Sequence, residues 1–102
     1  MKINVTINTE SDALWGNSTE TELAAFDIAA SEANFLARVQ TAIANTFKGD
    51  EVNVEGQEHK NDITIETGEG WEADRKAEEQ AADIIADIIA EVHSSWAWTI
   101  DR

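Results

Sequence analysis

Residues 77–92 read AEEQAADIIADIIAEV, the most regular stretch of this chain. Its apolar side chains recur at intervals of three and four residues, a spacing that places them on one face of an α-helix. The members of this apolar stripe are Ala77, Ala81, Ile84, Ile85, Ile88, Ile89 and Val92. The pattern predicts a helix from about Trp71 to Ser94 that packs the stripe against the protein core.

The same helix carries acidic side chains at steps of four residues. They are Glu79, Asp83, Asp87 and Glu91. Successive members lie about 6 Å apart along the axis, on one edge of the helix. Like charges at this spacing destabilise a helix by about 0.2–0.5 kcal/mol per pair. Glu72 and Asp74 add two acids in the predicted first turn, where the helix dipole favours negative charge. We expect these six side chains to bind a partner; the alternative is a solvated face beside the apolar stripe.

A strand and a helix are predicted in the first half of the chain. Apolar and polar residues alternate over Lys2–Asn8, which is typical of a half-buried strand. The residues after it, up to about Ser18, form a predicted loop. A helix is predicted from Asp27 to Lys48, with an optional extra turn or two before it and Gly49 directly after its end.

Three further stretches alternate in the same way. Asp50–Glu55 and Asn61–Thr67 flank a polar turn at residues 56–60 and predict an antiparallel hairpin. Trp96–Ile100 predicts a last strand. The element order is then β-α-β-β-α-β, the split arrangement of ferredoxin-like folds. We predict one α+β domain over residues 1–102, with a mainly antiparallel sheet packed against two helices. The alternative is a three-stranded sheet with the terminal segment packed alongside.

Composition excludes several classes of protein. The 102 residues include no Cys and no Pro, so disulfide scaffolds, thiolate metal sites and cysteine nucleophiles are excluded. The first residues lack the apolar run of a signal peptide, and no apolar run approaches the length of a membrane span. The expectation is a soluble protein of the cytoplasm, with no membrane partner.

The charge is large, negative and unevenly distributed. Twenty-one acidic side chains stand against seven Lys and Arg, for a formal net charge of −14. Residues 50–91 contain fourteen of the acids and only three of the bases. Direct binding to nucleic acid is therefore not expected, because it requires basic patches. A second line of acids lies on the predicted hairpin and its turns: Glu51, Glu55, Glu58, Asp62, Glu66 and Glu69. All of them except Glu51 are further candidate partner-binding residues.

Metal, cofactor and catalytic signals are weak. Residues 50–56 read DEVNVEG and place apolar residues where a calcium loop needs oxygen ligands. His59 and His93 are not in ligand spacing, and His93-Ser94-Ser95 is adjacency in sequence rather than a catalytic arrangement. We expect no metal, no cofactor and no enzymatic activity. Trp15, in the predicted first loop, is a candidate exposed contact for a protein partner; structural packing is the alternative for all four tryptophans.

The combination of small size, strong acidity, absence of cysteine and an acid-lined helix resembles the DNA-mimic inhibitors of phages and mobile elements, including anti-CRISPR and anti-restriction proteins. This resemblance of size, charge and element order implies a protein that occupies the nucleic-acid-binding surface of a defence complex in the host cytoplasm. Two other hypotheses stay open: a structural or accessory protein whose acidity only confers solubility, and a divalent-cation-binding domain.

Overall fold

The computed structural model describes residues 2–9, 14–16, 20–57, 60–66 and 72–102; for Glu20 and residues 72–74 it covers the backbone alone. These residues form, in chain order, β1 (Lys2–Asn8), α1 (Glu20–Ala24), α2 (Ile28–Thr46), β2 (Glu51–Gln57), β3 (Asp62–Glu66) and α3 (Glu72–Ser95). The predicted strand at Lys2–Asn8 is confirmed. The other predicted helices and strands are confirmed with small shifts at their ends, except the last strand, which is absent. The predicted helix start at Trp71 lies outside the described residues.

The α2 helix begins where the sequence indicates. Asp27 is its N-cap, and the Asp27 carboxylate accepts a hydrogen bond from the backbone N–H of Ala30 at 3.1 Å. Phe35, Val39 and Ile43 form its buried stripe. The short α1 helix corresponds to the optional extra turns predicted before Asp27.

The sheet has three strands in the order β2-β1-β3. β1 pairs in parallel with β2, matching Ile3 to Val52, and antiparallel with β3, matching Ile3 to Ile65. The predicted hairpin between Asp50–Glu55 and Asn61–Thr67 is therefore wrong, because β1 lies between those two strands. A helical crossover such as α2 joins parallel neighbours, so β2 takes one edge of β1 and leaves the other to β3.

Both long helices cover the same face of the sheet. α2 packs against β2, α3 packs against β3, and the two helices contact each other. The core between these layers includes Ile3, Val5 and Ile7 of β1, which are buried at alternate positions. The fold is thus α+β, with a mixed three-stranded sheet in place of the mainly antiparallel ferredoxin-like one.

The C-terminal segment is not a strand. It passes through turns at residues 97–98 and touches β-structure only through an isolated bridge between Phe26 and Asp101. The segment packs along the start of α2: the Asn34 amide donates to the carbonyl of Trp98 at 3.0 Å, and the backbone N–H of Ile100 donates to Ser31 Oγ at 2.8 Å. Side chains of α2 thus form hydrogen bonds with the backbone of the C-terminal segment, which was expected to pair with a neighbouring strand. This arrangement matches the alternative topology, in which the terminal segment packs alongside a three-stranded sheet.

The apolar stripe of α3 is only partly buried. Ala81 and Ile85 are buried, whereas Ala77 is exposed and Ile84 is 43% exposed. The prediction of these last two as core residues is wrong. A helix of 24 residues is about 36 Å long, whereas the five residues of β3 span about 17 Å. The sheet is too short to cover the whole helix, which leaves Ala77, near its start, exposed. Ile84 is exposed for a different reason: it lies about 100° around the helix from the buried Ile85, at the edge of the stripe.

Candidate functional site

The outer surface of α3 carries the acidic ridge, defined as Glu79, Asp83, Asp87 and Glu91. All four residues are exposed. At about 100° per residue, they lie on the side of the helix opposite the buried Ile85, rather than beside the stripe as expected from the sequence. The ridge therefore points away from the sheet. Its length is about 18 Å, from three steps of four residues.

The ridge carboxylates make few contacts within the protein. In the part of the chain that the structure describes, no hydrogen bond or ion pair joins any of the four to another side chain. The bases nearest in sequence, Arg75 and Lys76, lie at the start of α3. These two bases precede Glu79 by four and three residues, and Arg38 of α2 lines a groove with Glu91. Solvent ions supply the remaining screening of this helix face.

A second acidic surface lies on the open face of the sheet. We call its members the sheet acids: Glu51, Glu55, Asp62 and Glu66. Each is exposed and alternates along its strand with an inward apolar residue. The register sets Glu51 and Glu66 on either side of Lys2, and Glu55 and Asp62 on either side of Thr6.

The sheet acids are better partnered than the ridge. Lys2 Nζ lies 3.7 Å from the carboxylate of Glu51. Glu55 accepts hydrogen bonds from the Thr6 hydroxyl at 3.4 Å and from the Gln57 amide at 3.2 Å. The Thr64 hydroxyl donates to Asp62 at 3.2 Å. These contacts are exposed and individually weak, but they orient three of the four carboxylates within the sheet face.

The two acidic surfaces face in opposite directions. The ridge points outward from the helical layer, and the sheet acids point outward from the uncovered face of the sheet. The sequence left open whether the two lines of acids are adjacent, and the fold separates them. Of the other predicted site residues, Glu58 and Glu69 lie outside the described residues, and the description of Glu72 and Asp74 extends only to their helical backbone.

Trp15 is buried rather than exposed. Its side chain is 3% exposed, and its ring lies 4.9 Å from that of Trp98 and 5.5 Å from that of Phe26. The prediction of an exposed contact at Trp15 is wrong, because the loop folds its ring into the cluster at the C-terminal end of α3. Trp98 is fully buried, and Trp96 is 42% exposed. No sequence signal distinguished Trp96 from Trp98, since alternation placed both on the same side of a strand.

His93 is part of the same aromatic cluster. Its Nε2 donates to the carbonyl of Leu14 at 2.6 Å, and its ring packs 6.0 Å from Phe35. The neighbouring Ser95 hydroxyl donates to the carbonyl of Val92 at 2.8 Å. His93 thus ties the end of α3 to the first loop, and Ser95 closes the last turn of the helix. Among the described residues, no group of three or more His, Asp or Glu side chains is placed to hold a metal ion.

The outer face of α2 contrasts with that of α3. Between Ile28 and Thr46 the charged residues are Glu32 and Arg38. A shallow groove of about 630 Å³ separates the two helices on this side, lined mainly by small and uncharged residues: Asn34, Ala37, Arg38, Thr41, Ala42, Asn45, Glu91, Val92 and Ser95. The strong negative charge of the chain is thus concentrated away from α2.

Comparison of this chain with protein-family models, with curated proteins and with solved structures finds no match. None of the helices in the described part of the chain combines the length and the apolar character that a membrane span requires.

Proposed function

We propose that this protein is a non-enzymatic inhibitor that presents the acidic ridge to a basic nucleic-acid-binding protein and excludes the nucleic acid. Its target is a defence complex of the kind blocked by anti-CRISPR or anti-restriction proteins. The observation that carries the proposal is the exposed line of four carboxylates on α3, none of which forms an ion pair or hydrogen bond with another described side chain.

The geometry of the ridge supports a role as a phosphate substitute. Its carboxylates recur about every 6 Å, whereas one DNA strand carries a phosphate about every 3.4 Å. The ridge thus supplies somewhat more than half the linear charge density of one strand. The Cα atoms of the protein span 51 × 24 × 18 Å, so the molecule is elongated.

The charge of the ridge affects mainly the rate at which the protein associates with its partner. A basic partner is attracted over distances of about the Debye length, near 8–10 Å at ordinary salt, and steering of this type raises association rates. We therefore expect binding that weakens steeply with ionic strength and that competes with DNA or RNA for one site on the partner. A ternary complex in which the partner holds both ligands at full affinity contradicts this mechanism.

The experiment compares two matched variants. In the ridge variant, Glu79→Gln, Asp83→Gln, Asp87→Gln and Glu91→Gln are combined; in the sheet variant, Glu51→Gln, Glu55→Gln, Asp62→Gln and Glu66→Gln are combined. Each removes four negative charges. A partner is first captured from host lysate with and without added DNA, and its association rate is then measured with each variant. The proposal requires clearly slower association for the ridge variant. Equal losses indicate acidity that is only solubilising, and a larger loss for the sheet variant moves the site to the open sheet face.

A further inference from the structure

Trp96 has a backbone conformation that ordinarily selects glycine. It follows α3 directly and has a φ of 54°, in the left-handed region. Two glycines adopt positive φ among the described residues, Gly16 at 62° and Gly49 at 88°. Glycine suits this position after a helix because it lacks the Cβ that clashes there. A tryptophan at the same kind of position is therefore costly for the backbone.

Burial accounts for this choice only in part, because Trp96 is 42% exposed. The ring is nevertheless held in place. It stacks on Trp98 at a centroid distance of 5.2 Å and an interplanar angle of 28°, and it lies 5.0 Å from the ring of His93. The Thr99 hydroxyl and backbone N–H both donate to the carbonyl of Trp96, at 2.8 and 3.2 Å. The result is a pre-oriented aromatic surface, partly open to solvent, on a strained backbone.

We propose that Trp96 is an aromatic anchor for an arginine side chain of the basic partner. This inference rests on the proposed function and adds a residue to its interface. The face of an indole ring is the best aromatic acceptor for a cation, and a guanidinium also stacks on it. The last turns of α3 are acidic as well: Asp87 and Glu91 line an open depression of about 570 Å³ that extends to Ser95, the residue directly before Trp96 in the chain.

The test uses a capped hexa-arginine peptide as the probe, titrated into the full chain at low salt by calorimetry. Trp96→Phe and Trp96→Leu both keep a bulky residue on the same backbone, so they share its strain and differ in the ring. We expect affinity to fall in the order Trp, Phe, Leu, with a loss of about three- to tenfold for Trp96→Leu. Ile84→Ala is the matched control, since Ile84 is a similarly exposed apolar residue of α3, and it should change affinity less than twofold.

Spectroscopy locates the contact independently. In an indole ¹H–¹⁵N spectrum, the Trp96 signal should shift with peptide concentration, while that of the buried Trp98 shifts less. Equal affinity of the Leu variant and the parent chain, or a Trp96 signal that stays fixed at saturation, overturns the inference. This failure is distinct from failure of the proposed function, which is decided by the ridge and sheet variants with the captured partner.

Discussion

At the scale of single residues, Ser31 joins the C-terminal segment to the rest of the protein. It is fully buried, its hydroxyl accepts from the N–H of Ile100 at 2.8 Å, and it lies 3.4 Å from the carbonyl of the same residue. Ser31→Ala leaves that N–H without its partner, so we expect a loss of about 1–3 kcal/mol in the free energy of unfolding. Urea denaturation measures it. Ser94→Ala, at an exposed position, should change stability by less than about 0.5 kcal/mol; equal values for the two variants would falsify this role.

The stacked tryptophans should contribute unequally to stability. Trp98 is fully buried and packs against Phe35 and Trp15, whereas Trp96 is half-exposed and strained. Trp98→Ala should cost about 3–5 kcal/mol through the cavity it creates. Trp96→Gly should cost clearly less, since relief of the left-handed backbone, worth about 1–2 kcal/mol, offsets part of the lost packing. Thermal unfolding of the two variants, followed by circular dichroism, gives the comparison. A Trp96→Gly variant as unstable as Trp98→Ala would show that the ring is a core element.

At the scale of elements, periodicity predicted the type of the long helices and of the three strands, but not which strands pair with each other. Alternation over Lys2–Asn8 correctly predicted that Ile3, Val5 and Ile7 face inward. Alternation does not show which strand lies beside β1. The inward-facing side chains of β1 can be buried whether β2 and β3 pair with each other or each pair with β1. The hairpin prediction rested on closeness in sequence, whereas the observed order lets α2 and α3 cover β1 together with one edge strand each.

The prediction of a strand in the C-terminal segment was wrong for a related reason. Trp96–Ile100 alternates over five residues, which is typical of a strand, but contacts with other parts of the protein decide its structure. The left-handed conformation at Trp96 and the hydrogen bonds from Asn34 and Ser31 are tertiary features. Nothing in a local pattern encodes them.

The ridge variant also tests α3 as an element. Replacing its four acids by Gln removes three like-charged pairs at four-residue spacing, each worth about 0.2–0.5 kcal/mol. The side chains lie opposite the core, so their packing is unaffected. We expect the combined variant to unfold at a higher temperature than the parent chain. The sheet variant is the control, because it removes equal charge together with contacts from Lys2, Thr6 and Thr64. A ridge variant that is less stable than the parent would mean that these acids have structural partners.

At the scale of the whole molecule, the two acidic surfaces define what a partner can reach. The alignment of the ridge residues was predictable from residues 77–92, because the helical period alone sets side chains four residues apart on one side of a helix. The position of the sheet acids relative to the ridge was not predictable, since that position depends on which face of the sheet the helices cover. A partner that docks on the ridge leaves the sheet acids in solvent, unless it surrounds the narrow cross-section of the protein.

Self-repulsion among these charges should make the fold respond to salt. A net charge of −14 on 102 residues destabilises the compact state more than the expanded one. Raising sodium chloride from about 20 mM to about 0.5 M shortens the Debye length severalfold and should raise the melting temperature by several degrees, on a scale of about 4–8 °C per kcal/mol. The rise in melting temperature with salt should be smaller for the ridge variant, which carries less negative charge.

The same measurement separates screening from specific cation binding. Magnesium or calcium chloride is compared with sodium chloride at equal ionic strength. General screening predicts melting temperatures that agree closely, because the described acids lack the convergent geometry of a metal site. A cation that binds only the folded state instead adds stability in proportion to the logarithm of its concentration beyond its dissociation constant. A melting temperature far higher in magnesium or calcium chloride than in sodium chloride would indicate specific cation binding. If only the ridge variant or only the sheet variant lost this difference, the acids replaced in that variant would form the cation site. Cation binding would then replace inhibition as the function of the protein.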